Sequence, residues 1–188
     1  MTKQIYPGVA THSFSVEDYH RMIETGIITT DHNVELLDGQ IVRMSPIERF
    51  HAACVNRLNH FFSAIVTDDL LISVQNPVLL NENSEPEPDL AILKFKTDFY
   101  ASGHPQPQDI LVLIEVADSS LEKDQEIKLP LYALAKIPEV WIIDLAKERV
   151  IVYQEPLEEG FKKMHSFNGE EKIMTDLPIS ITAKDILG

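Results

Sequence analysis

Apolar and polar positions follow two rhythms along the chain, one helical and one strand-like. Residues 14–26 (FSVEDYHRMIETG) read as a capped helix: Ser15 precedes Glu17 and Asp18, which suit the positive end of a helix dipole, and Gly26 ends it. In 52–66, Val55, Leu58, Phe62 and Ile65 recur at helical spacing. A further helix after residue 120 places Ile127, Leu131, Leu134 and Ala135 on one face. Between and after these lie runs with strand character: 70–80, 88–93, 110–117, 140–145 and 149–154, the last two joined by a turn at Ala146-Lys147. Residues 34–46 (VELLDGQIVRMSP) form a hairpin signal with Asp38-Gly39 as the tight turn. The tail adds one more strand and a short helix. A near-continuous apolar run such as ILVLIEV predicts a strand covered on both faces. The expected fold is therefore α/β: a central mixed β-sheet flanked by helices, with an N-terminal helix and hairpin.

Two of the strand-like runs carry an acid where apolar residues are expected. Asp89 opens EPDLAILKF, and Glu115 sits near the end of DILVLIEVADSS. An ionised carboxylate in a low-dielectric interior costs several kcal/mol unless it is compensated. Either these acids reach water at strand ends or a cation holds them. If the strands are neighbours, both carboxylates meet at one end of the sheet. Hard oxygen ligands with retained waters suit Mg²⁺ or Mn²⁺. Such an ion lowers the pKa of water and stabilises charge on a phosphoryl oxygen.

Composition narrows the function classes. The chain has 188 residues, enough for one domain, and residues 1–188 are read as a single one. No apolar run approaches the roughly 20 residues of a membrane span, and the N-terminus lacks an apolar signal region, so a soluble, cytoplasmic protein is expected. One cysteine, Cys54, excludes an intrachain disulfide and a thiolate metal cluster, and it reads as a buried residue of its helix. The seven histidines show no close ligand spacing, which argues against zinc. Seven glycines form no phosphate-binding loop. A net charge of −14 is a poor footprint for non-specific nucleic-acid binding, though it leaves room for a local cleft whose acids are offset by divalent ions.

The segments EPDLAIL, LIEVADSS, the Asp124, Lys128 and Tyr132 pattern, and IPEVWIIDL together resemble the Uma2-type (DUF820) restriction-endonuclease family of the PD-(D/E)XK nuclease superfamily. The likeness runs from SVEDYHRM to RVIVYQ. It implies a restriction-endonuclease-like core and Mg²⁺- or Mn²⁺-dependent hydrolysis of DNA phosphodiesters. Asp89 then matches the Asp of the PD motif and Glu115 the acid of (D/E)XK. Ala117 stands where the motif lysine belongs, and Lys128 on the following helix takes that place, with Lys123 as a second candidate. Glu35 resembles the acid supplied by an N-terminal element, as a possible third metal ligand, and His51 and Gln75 are placed to line the site. Superfamily members often pair, so a homodimer is expected by resemblance.

The position of Lys128 depends on where its helix begins. Ser119 with Glu122 looks like a capping box and starts it near 120. Pro130 argues for a start near 126, or a kink there, because proline is tolerated in a first turn and clashes further in. Plainer readings compete throughout. Asp89 can be a solvated turn acid, Glu35 an exposed hairpin residue, and Asp124 with Lys128 a surface i,i+4 pair. Trp141 and Tyr132 read as core. The competing functional class is a nuclease-like fold without catalysis, serving as a binding or accessory module, which the −14 charge favours.

Overall fold

The computed structural model describes residues 11–65, 69–118 and 121–188, apart from the side chains of Ile65 and Glu122. Ser119, half of the expected capping box, and the inward place of Ile65 lie outside the described residues. Helix α1 (Val16–Glu24) starts on Ser15, whose side chain and that of Asp18 satisfy each other's backbone N–H groups. The hairpin β1 (Val34–Leu37) and β2 (Gln40–Arg43) closes through Asp38 and Gly39, both at positive φ, as a two-residue turn matched to strand twist requires. Glycine is needed at 39 for a second reason: a Cβ there would overlap Ser13.

Helix α2 (Arg49–Ile65) buries Val55, Leu58 and Phe62 as the periodicity predicts. The sheet consists of β3 (Leu70–Val74), β4 (Leu90–Lys94), β5 (Ile110–Ala117), β6 (Glu139–Asp144), β7 (Arg149–Leu157) and β8 (Gly160–Asn168). They lie side by side in that order, antiparallel except for the β5–β6 pair. Between β5 and β6 runs a helical segment: α3 (Leu121–Lys123), a wide turn over Asp124–Lys128, and α4 (Leu129–Leu134). Helix α5 (Ala183–Leu187) ends the chain. Among the described residues, no helix is long and apolar enough to cross a membrane.

Strand alternation sorts the core into two layers. On one face Val112, Ile114, Trp141, Ile143 and Val152 pack with Cys54, Leu58 and Phe62 of α2 and Ile186 of α5. On the other, Ala91, Leu113, Ala117, Ile142 and Ile151 pack with Tyr132. Each large apolar side chain so buried contributes roughly 1.5–3 kcal/mol. Glu115 shares the parity of Leu113 and Ala117, so it faces the α3–α4 side.

The structure corrects three local expectations. The strand beginning at 70 stops at Val74; Gln75 follows at φ 49° and turns the chain out of the sheet, so it lies beyond the strand rather than on it. The helical segment is already formed at Leu121, not at 126, and the wide turn is where it accommodates Pro130. Of the face expected to turn inward, Leu131 and Ala135 pack partly against the core while Ile127 and Leu134 are exposed, and the segment buries Asp124, Lys128 and Tyr132. Asp124 and Lys128 are thus buried rather than a surface pair.

Two stability predictions arise here. Glu139 is buried and accepts hydrogen bonds from Trp141 Nε1 (2.6 Å), Gln154 Nε2 (2.7 Å), Thr175 Oγ1 (2.6 Å) and the Asp176 amide (3.0 Å), fastening the segment after β8 to the sheet. Glu139→Ala leaves the fully buried indole N–H without an acceptor and is expected to cost about 2–3 kcal/mol. Urea denaturation checks this; an unchanged midpoint would show that the clasp contributes nothing. Burial pushes the Cys54 thiol up to about 12. Cys54 is therefore expected not to react with a disulfide reagent at pH 8 until the protein unfolds, and rapid titration of the native protein would contradict this.

Candidate active site

Strand pairing brings the two anomalous acids together. Leu90 pairs with Ile114, so Asp89, one residue before Leu90, lies at the end of β4 beside Glu115 of β5. Asp89 Oδ2 accepts the Val116 amide at 2.8 Å and lies 3.1 Å from His51 Nε2, while Oδ1 accepts Gln75 Nε2 at 3.4 Å. The Gln75 amide also donates to the Asp89 carbonyl, at 3.1 Å. His51, in the first turns of α2, and Gln75, at the exit of β3, therefore both hold Asp89.

Glu115 is 3% exposed and accepts from Lys128 Nζ at 3.0 Å and from the Tyr132 hydroxyl at 2.5 Å, both on Oε1. Burial drives its carboxyl up to about 8, against the lowering effect of Lys128. Burial also acts to remove the proton of Lys128. The carboxylates of Glu115, Glu35 and Asp124 outweigh it and raise the ammonium above its usual range. Burial, and then Glu115, keep the Tyr132 phenol protonated, so it donates.

Glu35, fully buried on β1, takes Lys123 Nζ on Oε1 (2.5 Å) and Lys128 Nζ on Oε2 (3.1 Å), where the Glu87 amide also donates at 3.1 Å. The wide turn explains how two lysines five residues apart reach one carboxylate. Its hydrogen bonds run from residue i to i+5, as from the Leu129 N–H to the Asp124 carbonyl. Residues five apart then stack more nearly one above the other than in an α-helix, and the wider ring relieves the clash of Pro130 with the carbonyl four residues back.

These groups line an open cleft of about 160 Å³, closed on one side by Met44 to Glu48. Seven carboxylates border it (Glu35, Glu48, Glu87, Asp89, Glu115, Asp118 and Asp124) against two lysines, both already held by acids. Burial, and then Glu35, raise the Glu87 carboxyl as well. The cleft is short of positive charge, and its donors are hard oxygens; that donor set fits a magnesium-class ion. Glu35, Asp89 and Glu115 do not bring their oxygens within 4.8 Å of one another as a trio. His51 Nδ1 is buried, and it has no partner among the described residues. Burial opposes protonation of this imidazole, but the bond to Asp89 is the larger effect and raises it.

All six expected site residues, Glu35, His51, Gln75, Asp89, Glu115 and Lys128, border this one cleft. Tyr132, expected in the core, is buried there but spends its hydroxyl on Glu115. Glu87 was not singled out by sequence; its spacing of two from Asp89 on an extended segment is the signal that points it to the same side.

The Uma2 family model, described as "Putative restriction endonuclease", matches residues 16–183. Among solved structures, the chain is similar to one described as "a putative nuclease belonging to DUF820 from Anabaena variabilis ATCC 29413": 14% identity, 93% of this chain and 97% of that one covered, TM-score 0.67. At that identity the likeness speaks for the fold. Comparison with curated proteins gives no match. With the family pattern spanning nearly all of its length, this chain belongs to the Uma2 family.

Proposed function

We propose that this protein is a divalent-metal-dependent DNA endonuclease whose centre is Asp89, Glu115 and Lys128. The observation that carries it is the meeting of two carboxylates from adjacent strand ends with a buried ammonium 3.0 Å from one of them, in a cleft bordered by seven carboxylates and two lysines. Asp89 and Glu115 would hold Mg²⁺ or Mn²⁺. Such an ion, when bound, supplies Lewis acidity toward a phosphoryl oxygen and makes water more acidic. The chain's own residues do the rest. Lys128, fixed by Glu35 and Glu115, holds positive charge where a phosphate accumulates negative charge. Tyr132 orients Glu115, and His51 and Gln75 orient Asp89. Glu35, the third acid of the set, has both oxygens engaged by ammonium groups, and we assign it to positioning Lys128. Cutting both strands of a duplex calls for two such centres, so a homodimer is part of the proposal.

The net charge of −14 favours a second reading, a nuclease-like module that binds without cutting. One experiment separates them. Calorimetric titration with Mg²⁺ and Mn²⁺ is expected to show binding in the parent and none in Asp89→Asn, with plasmid nicking that depends on the same ion. Absence of binding by the parent would abandon the enzyme and leave the module.

A further inference from the structure

Away from the cleft, three residues distant in sequence converge. His20 on α1, Glu85 on the segment leading into β4, and His104 on the β4–β5 connection each place a ligand atom within 4.8 Å of the other two. They form the one such triad of histidine, cysteine, aspartate or glutamate among the described residues. His20 Nε2 lies 2.8 and 3.0 Å from the two oxygens of Glu85. The rings of His20 and His104 meet edge to face, with centroids 6.2 Å apart.

The charge balance at Glu85 is what needs an account. Glu85 is 4% exposed, and among the described residues its ion-pair partner is His20, which is half exposed to water. A buried carboxylate in that position wants a cation. Two imidazole nitrogens and one carboxylate oxygen form a donor set that suits a borderline ion such as zinc, and does not suit magnesium, which prefers oxygen throughout. His104 is exposed, so the fourth position opens to water.

The three donors also stand on anchored backbone. The Glu85 amide donates to the Leu36 carbonyl (2.8 Å), the Leu79 amide to the Pro105 carbonyl (2.9 Å), and the Val16 amide to the Glu82 carbonyl (2.8 Å). Tyr19, beside His20, donates its hydroxyl to the Val34 carbonyl at 2.9 Å. The arrangement is thus held before any ion arrives, which lowers the ordering cost of binding.

We propose that His20, Glu85 and His104 form a zinc-class site that clips α1 and the β4–β5 connection onto the segment Glu85–Asp89. That segment delivers Glu87 and Asp89 to the cleft, so the clip would steady the cleft from outside. The site is argued from its own donors and stands or falls apart from the nuclease reading. Spacing along the chain could not reveal it, because the ligands come from positions 20, 85 and 104.

The test uses chelator-treated full-length protein and Zn²⁺ alone, followed by calorimetry and thermal melting, with Co²⁺ absorption as a report on nitrogen ligation. One equivalent of Zn²⁺ should bind and raise the melting temperature. His104→Ala, at an exposed position, and His20→Ala should each weaken binding at least tenfold and remove the thermal shift. Asp89→Asn, which disables the cleft, should leave both intact. Absence of Zn²⁺ binding, or binding that survives His104→Ala, would overturn the proposal and leave a plain histidine–glutamate contact. Binding lost in Asp89→Asn but kept in both histidine variants would place the ion in the cleft and overturn it equally.

Discussion

Lys128→Met is expected to destabilise the protein by about 3 kcal/mol at pH 7. Breaking a buried ion pair from one side costs about 3–5 kcal/mol, because the partner charge remains without compensation. Here the ammonium is 4% exposed and serves Glu115 at 3.0 Å, Glu35 at 3.1 Å and the Glu87 carbonyl at 3.3 Å. Two features hold the loss to the low end. Lys123 still covers one oxygen of Glu35. Glu115, whose carboxyl already titrates at about 8, relieves itself by keeping its proton. Denaturant unfolding at pH 7 measures the loss. The double variant Lys128→Met with Glu35→Gln is expected to recover a substantial part of it, since removing both charges of a buried pair is far less costly than removing one. A single variant as stable as the parent would mean that the ammonium is not what compensates these acids.

The same cluster shows what sequence can and cannot reveal. Near-continuous apolar runs made β5 and β6 legible, and Asp38-Gly39 made the hairpin legible, because in each case the local preference agrees with the tertiary structure. Asp89 and Glu115 stood out for the opposite reason: they break an apolar pattern, and the strand register sets them side by side. The helical segment was misread at two of the four positions expected to face inward, Ile127 and Leu134. An apolar stripe through Ile127 and Leu134 is the natural inference when polar residues are assumed to face water. Yet Asp124 and Lys128 compensate each other's surroundings and go inside, leaving Ile127 and Leu134 exposed. The wide turn was equally hidden. Pro130 signalled a disturbance but not its form, since a kink, a late start and an i→i+5 turn all answer the same steric clash. Gln75 was placed on a strand by its apolar neighbours, while its positive φ is set by the exit toward Asp89.

Glu115→Gln should do the reverse of Lys128→Met: it should keep or raise stability while removing function. The amide retains an oxygen for Tyr132 and Lys128, and Lys128 keeps its charge partner in Glu35. In the parent without metal, the carboxyl has its ordinary value of 4.5 when unfolded and about 8 when folded. The folded state therefore binds this proton more tightly. The stabilisation it brings is complete below about 4.5 and is lost as pH rises to about 8. In a chelator, the variant should lack that decline and be the more stable protein at pH 8. Metal binding runs the other way. A carboxylate must ionise to ligate, so divalent-ion affinity in the parent should rise with pH toward 8, with proton release, and the variant should show neither. Loss of a group that merely supports a metal ligand costs 10–100-fold, so replacing Glu115 itself should lower DNA cleavage by at least about 100-fold. A variant that is folded, stable and still cuts at the parent's rate would remove Glu115 from the reaction. One that loses activity only because it unfolds would show that the buried carboxylate serves the fold instead. A stability gain coupled to loss of cleavage is the signature of an acid kept in an unfavourable place for its chemistry.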